Sequence, residues 1–383
     1  MNNYLYLVIA SAVLAMLYAF WKTSWITAQD EGTDRMKAKA RRRVAITGIG
    51  LVSPIGTGKQ AFWDNLLAGR HGIGPVESFD TSGMRVHRGA EVKDFDGAAY
   101  VDKLDPAGLG RTSLFAIAAA RMALEDAGYR AGDVDGERAG VSMGTTSGEP
   151  NQIESFNDLY PADASAEAGL DALQAYPCHL IPAHVASELG FAGPNLMIPT
   201  ACAAGNYAIA YATDVLAAGQ ADFMLAGGAD AFSRITYGGF GGLMAIAPDL
   251  CRPFDLKRRG MIPGEGSCVL VLESLDGARQ RGARTYAEVV GYGLTCDAHH
   301  PTGGDPTGRG AVRAMQQALA ASALRPDQVD YISAHGTGTK SNDLNETIAV
   351  KRVFGAAAHA IPISSIKSML GHTMGAASAL EAA

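Results

Sequence analysis

The chain has 383 residues, a formal net charge of −7 and 46 glycines. Hydrophobic residues make up 48%, charged residues 19% and aromatics 7%, which excludes a disordered chain, a collagen-like repeat and a disulfide scaffold. The acidic balance argues against nucleic acid as a partner, since that needs a basic face, and the length suits about two domains or one large duplicated one.

The first segment differs from the rest. Tyr4 to Trp21 is an uncharged apolar run of 18 residues. At about 1.5 Å per residue it reaches the apolar thickness of a bilayer. Tyr4, Tyr6, Tyr18, Trp21 and Trp25 lie near its ends, where interfacial aromatics belong. The run predicts a transmembrane helix over residues 4–21. A cleaved signal peptide fits less well, because the opening Met-Asn-Asn carries no Lys or Arg and no A-x-A site follows. Lys22 to Arg43 holds seven basic and three acidic residues, which predicts that everything beyond is cytoplasmic and anchored to the inner membrane. Residues 17–37 also resemble the first helix and following loop of membrane-integral, ion-pumping pyrophosphatases. No aspartate-rich motif for magnesium pyrophosphate follows, so no pump residue is carried over.

From Arg43 onward, short apolar runs alternate with Ala-rich helical stretches. Residues 44–50, 140–145, 223–230, 269–274, 287–293 and 329–337 read as strands, and 111–128, 203–219 and 310–324 read as helices. The alternation predicts an α/β fold with a mainly parallel sheet buried on both faces. A weak internal repeat pairs 140–148 with 331–339, and 197–212 with 363–380. The domains predicted are a membrane helix and basic linker over 1–42, a first half over 43–255 and a second over 256–383. Gly48-Ile-Gly50 and Gly58-Lys59 fail as nucleotide loops for want of the third glycine and of the P-loop framework, and 239–242 reads as a loop out of context.

Three motifs carry the chemistry. Cys202, in Thr200-Ala-Cys-Ala-Ala-Gly205, follows a strand and opens a small-residue helix. The helix dipole and free N–H groups there are expected to lower its pKa and make it a nucleophile. Cys178, Cys251, Cys268 and Cys296 are expected to be buried structural thiols in a reducing compartment. His335 begins His-Gly-Thr-Gly-Thr339 at a strand's end, where α/β sheets place ligands. His372 ends Lys367-Ser-Met-Leu-Gly-His372, in an equivalent context. No metal spacing or cofactor fingerprint is present.

With these residues in place, the chain from about Arg43 resembles the β-ketoacyl–acyl-carrier-protein synthases of the thiolase superfamily, in particular the elongating second type. The segments that carry the resemblance are 44–56, 114–128, 198–205, 251–274, 297–308, 334–339 and 365–381. It implies the five-layered, internally duplicated αβαβα fold, a homodimer, no cofactor, and acyl- and malonyl-loaded acyl carrier protein as the partner. Cys202 matches the nucleophile, and His335 and His372 match the pair that assists decarboxylation. Lys367 matches the family's active-site lysine and Glu346 the acidic residue that orients it. A histidine in the third place favours elongation over initiation. The resemblance further implies a C-terminal stretch beyond Ala383 with a Gly-Phe-Gly-Gly gate, so this chain is expected to be truncated.

Two other readings compete. A non-catalytic synthase-like partner subunit would leave Cys202 unused, and a pump fragment is opposed by the lack of later apolar spans. Lys257, Arg258 and Arg259 form a basic run for an acidic carrier protein, against the plainer reading of an exposed loop.

Overall fold

The computed structural model describes residues 41–130, 132–159, 172–300 and 303–383. In chain order its strands are β1 (Val44–Ser53), β2 (Gly56–Thr57), β3 (Gly74–Pro75), β4 (Arg88–Gly89), β5 (Ala139–Gly144), β6 (Asn195–Ile198), β7 (Phe223–Asp230), β8 (Gly266–Ser274), β9 (Ala287–Val289), β10 (Ile332–Ser333) and β11 (Ile363–Ser364). The helices that position them are α1 (Lys59–Leu67), α2 (Arg111–Asp126), α3 (Pro150–Leu159), α4 (Leu180–Leu189), α5 (Ala204–Ala217), α6 (Arg234–Gly242), α7 (Leu275–Gln280), α8 (Arg309–Ser322), α9 (Lys340–Phe354), α10 (Lys367–Leu370) and α11 (Ala377–Ala382).

A seven-stranded sheet runs in the order β2-β1-β8-β7-β5-β6, with β9 added on β1. Strand β5 is parallel to β6 and β7, but β8 lies antiparallel between β1 and β7. The sheet is therefore mixed rather than mainly parallel. Burial explains why the direction of β8 was illegible. Along β7, Leu225 faces a core with Ile117, Leu124 and Val185, while Met224 and Ala226 face another with Val215, Leu216 and Leu380. Helices α2 and α4 thus cover one face, and α5 and α11 the other. A strand buried on both faces is apolar throughout, whichever way it runs.

Two expected strands are cut short. Residues 287–293 keep strand pairing only over Ala287–Val289, and 329–337 only over Ile332–Ser333, where β10 pairs in parallel with β11. Residues 239–242, expected as a loop, instead close α6, whose start is capped by Ser233 Oγ accepting from Thr236 N–H at 3.1 Å.

Among the described residues no helix is long and apolar enough to cross a membrane. The membrane helix expected over residues 4–21 lies outside the described residues.

Helix α2 presses on β1 where β1 has no side chain. A Cβ on Gly50 would overlap the Ala119 carbonyl oxygen and the Ala123 nitrogen, both backbone atoms of α2. Backbone cannot rotate aside as a side chain can, so strand and helix would have to separate. Gly50→Ala is expected to destabilise the fold by about 1–3 kcal/mol, measured by urea unfolding.

Candidate active site

Strand β6 delivers the nucleophile candidate. Beyond Ile198 the chain turns sharply, and Ala201 takes the left-handed conformation with φ 51°. A non-glycine residue held there costs energy and is found where surrounding structure insists on it. Cys202 follows in a short 3-10 turn, Ala201–Ala203, which leads into α5. The turn fits because its neighbours are small. A Cβ on Gly144 at the end of β5 would overlap the Ala204 carbonyl, and one on Gly205 would stand 2.8 Å from Ala379 N on α11. The α5 start is thus wedged between β5 and α11.

His335 follows β10, and its backbone is fixed by a carboxylate. The N–H groups of His335 and Gly336 donate to Glu346 on α9 at 2.7 and 2.8 Å. His372 follows α10. Its N–H donates to the Ile262 carbonyl at 2.6 Å, and its carbonyl accepts from Gly264 N–H at 2.9 Å. These elements bring Cys202 Sγ and ring nitrogens of His335 and His372 within 4.8 Å of one another. The two imidazoles meet edge to face, with centroids 5.4 Å apart.

Each ring has one nitrogen engaged. Lys367 Nζ lies 3.4 Å from His335 Nδ1, and Met374 N–H donates to His372 Nδ1 at 3.1 Å. A neutral imidazole whose Nδ1 accepts must carry its proton on Nε2. Both histidines therefore offer N–H donors. The same constraint opposes metal ligation by His372, whose Nε2 keeps its proton while Nδ1 accepts.

Lys367 is 1% exposed, and its ammonium pairs with Glu381 on α11. Here the structure corrects the sequence reading: the carboxylate on Lys367 is Glu381, while Glu346 serves the His335–Gly336 backbone. Both acids sit on helices near the site, and spacing alone does not tell which one turns toward the lysine. Glu381 carried a signal nonetheless, as the one charge in the apolar helix after His372.

Burial governs the titrations. It pushes the His335 imidazole down to about 3, with the Lys367 charge adding to the effect. His372 is held well below the usual range by burial, by Lys367 and by His335. The expected lowering of the Cys202 pKa does not occur. Burial raises the thiol to about 11, with Lys367 opposing and the Asp230 carboxylate adding to the rise. The reason is geometric as well: a 3-10 turn precedes α5, so Cys202 stands outside the first turn of the α-helix, where the dipole acts.

The cluster opens on a cavity of about 960 Å³, lined among others by Phe240, Met244, Arg259, Thr337 and Asn345. Of the basic run, Arg259 reaches this cavity and pairs with Asp249 at 3.2 Å. Arg258 instead binds inward, 3.5 Å from the buried Asp343 and 3.3 Å from the Thr339 carbonyl, and Lys257 is exposed. Cys251 and Cys268 are buried as expected and Cys178 is half-buried, but Cys296 is exposed.

The comparisons with known proteins agree with this arrangement. The N-terminal domain of β-ketoacyl synthases matches residues 41–278, and the C-terminal domain matches residues 286–383. Neither match includes the pump-like stretch over 17–37, and nothing in the comparisons supports that likeness. A 3-oxoacyl-[acyl-carrier-protein] synthase 2 of Synechocystis is 38% identical over 349 residues, covering 89% of this chain and 84% of that protein. Among solved structures, the ishigamide ketosynthase/chain length factor superposes with a TM-score of 0.85 at 42% identity, covering 90% of this chain and 85% of the other. A type II PKS acyl-carrier protein in complex with its ketosynthase bound to the hexaketide gives 0.81 at 33% identity, covering 89% and 85%. With both domains matched, over 41–278 and 286–383, and the fold shared, the chain belongs to the β-ketoacyl synthase family.

Proposed function

We propose that the chain is a 3-oxoacyl-[acyl-carrier-protein] synthase, an acyltransferase that extends an acyl chain by decarboxylative Claisen condensation with a malonyl thioester. The observation that carries this reading is the convergence of one thiol and two neutral imidazoles beside a buried lysine. In the first step Cys202 sulfur attacks the acyl thioester carbonyl. The carrier thiol leaves and takes up the proton that Cys202 gives, so no net charge is created in the pocket. In the second step the malonyl thioester loses CO₂, and the electron pair of the broken C–C bond becomes an enolate. The Nε2–H groups of His335 and His372 stabilise that oxygen as charge develops, the task of an oxyanion hole. The enolate carbon then attacks the acyl–Cys202 thioester. Cys202 leaves as thiolate and takes a proton from solvent water, which a thiol with a pKa near 11 favours strongly at neutral pH.

Lys367, held by Glu381, fixes the His335 tautomer, and Glu346 fixes the His335 backbone. An acyl carrier protein is the partner that presents both thioesters. The homodimer and the duplicated five-layered fold belong to this reading too. The homodimer is supported by β6, which ends the sheet with one edge unpaired by any described strand, and the duplication by the second parallel pair, β10 with β11, in the later half. The anchor at residues 4–21 is supported by sequence alone. Deleting residues 1–42 is expected to move the protein from the membrane to the soluble fraction, and an unchanged distribution on ultracentrifugation would remove the anchor.

Incubation with a mid-length acyl-carrier thioester is expected to add one acyl group to the intact mass, and Cys202→Ala should lose that gain. An unmodified wild-type chain would favour a non-catalytic partner subunit.

The pH profile offers a second check. With both imidazoles pushed far down, malonyl decarboxylation should show no inflection near the ordinary histidine value of 6.5. Lys367→Met removes a cation that depresses both rings. It should therefore raise their pKa values and move the acid limb of the profile upward.

A further inference from the structure

A fully buried carboxylate lies behind the site. Asp230 is the last residue of β7 and is fully buried, with 0% exposure. Its Oδ1 accepts from Thr145 Oγ1 and Ser147 N–H, both at 2.9 Å. Its Oδ2 accepts from Thr146 N–H at 2.8 Å and Gly375 N–H at 2.6 Å. No lysine or arginine is among these partners. The four donors come from two segments that flank the active site.

The first segment, 145–147, leaves β5 and reaches the nucleophile strand, since Thr145 N–H donates to the Ile198 carbonyl at 3.3 Å. The second is the turn that carries His372. Met374 has φ 52°, a strained value for methionine, and its N–H fixes His372 Nδ1. Gly375, the next residue, is the one Asp230 holds. The contact leaves no room for a side chain: a Cβ on Gly375 would lie 2.5 Å from Thr145 C and 2.6 Å from Asp230 Oδ2. One carboxylate thus ties the His372 turn to the loop beside Cys202.

A carboxylate suits this place better than a neutral side chain. Donors converge on both oxygens, and only a carboxylate accepts on both sides. An asparagine would set its own N–H₂ against one pair of them, and an unpaired buried N–H is costly. The negative charge has a consequence as well. Cys202 is faced by the cation of Lys367 on α10 and the anion of Glu381 on α11. The neutral rings of His335 and His372 complete its surroundings, with the Asp230 anion behind it. Asp230 opposes ionisation of the thiol.

We propose that Asp230 is a positioning residue for the condensation. Its carboxylate clasps the 145–147 loop and the 373–376 turn so that the His372 Nε2–H faces the malonyl oxygen. The inference rests on the roles proposed above for Cys202 and His372.

Two variants test it, Asp230→Asn and Asp230→Ala, each assayed as the full chain with its thermal unfolding measured alongside. Malonyl decarboxylation should fall in both, by on the order of a hundredfold where the turn is freed entirely. Alkylation of Cys202 by iodoacetamide at pH 8 should instead become faster, because removing a nearby anion lowers the thiol pKa. A merely structural loosening exposes the thiol and speeds alkylation at every pH alike, so alkylation is followed against pH and the proposal requires the midpoint of the thiol itself to fall. Thr145→Val removes one donor but keeps the charge, so it should leave the alkylation rate near that of the parent chain. If the alanine variant does not fold, the asparagine variant carries the test. Unchanged decarboxylation in a folded variant would overturn the proposal, as would slower alkylation together with slower decarboxylation. Loss of acyl transfer to Cys202 in the parent chain is a separate result, and it would overturn the function rather than the clasp.

Discussion

A lysine ammonium 1% exposed to solvent is the constraint around which the site is built. A charge taken so far from water is tolerable only if an opposite charge and hydrogen-bond acceptors surround it. Glu381 supplies the charge and His335 Nδ1 the second acceptor. Both partners are thereby committed. His335 must accept at Nδ1, so its proton sits on Nε2. Glu381 must face inward from α11, which fixes the rotation of that helix about its axis. Helix α11 in turn packs on α5 through Gly205, so the lysine indirectly sets where the Cys202 turn lies.

The same burial decides the chemistry. Low polarity around the cluster disfavours every charged form except the ones specifically paired. His335 and His372 stay neutral and keep donor N–H groups, which an enolate requires. Cys202 stays a thiol, with a pKa of about 11. A resting thiolate would be the better attacking group, and the site forgoes it. It gains two deeply buried donors whose hydrogen bonds to a developing oxyanion are strong, because the protein surrounds them.

Much of this was legible in the sequence, and the illegible parts share a cause. Cys202 and His335 each follow a strand within a few residues, His372 follows the short helix after β11, and each precedes a glycine- or alanine-rich stretch. Such a pattern says that a side chain emerges at a crevice, and the structure gathers all three there. The partner of Lys367 was misread because Glu346 and Glu381 both follow the motifs on helices. Which one turns toward the lysine depends on packing between helices, as Gly205 against Ala379 shows, and not on spacing along one. The thiol pKa was misread for a related reason. A local argument from the helix terminus saw the dipole but not the burial contributed by α11 and by the His372 turn, which lie far along the chain.

The direction of β8 shows the limit in its plainest form. Hydrophobic periodicity reports which faces of a strand are buried, and β7 and β8 are buried on both. Such strands carry no alternation from which to infer a neighbour. The length of the connection says more. Thirty-five residues separate Asp230 from Gly266, ample for a crossover that would have kept the strand parallel. That segment is spent instead on α6 and on the loop that hydrogen-bonds His372 through Ile262 and Gly264. The chain that could have made a parallel crossover builds a wall of the active site, and β8 begins directly beside it. An antiparallel return at this point is the shortest route back into the sheet, so the irregular direction of the strand follows from the position of the catalytic cavity.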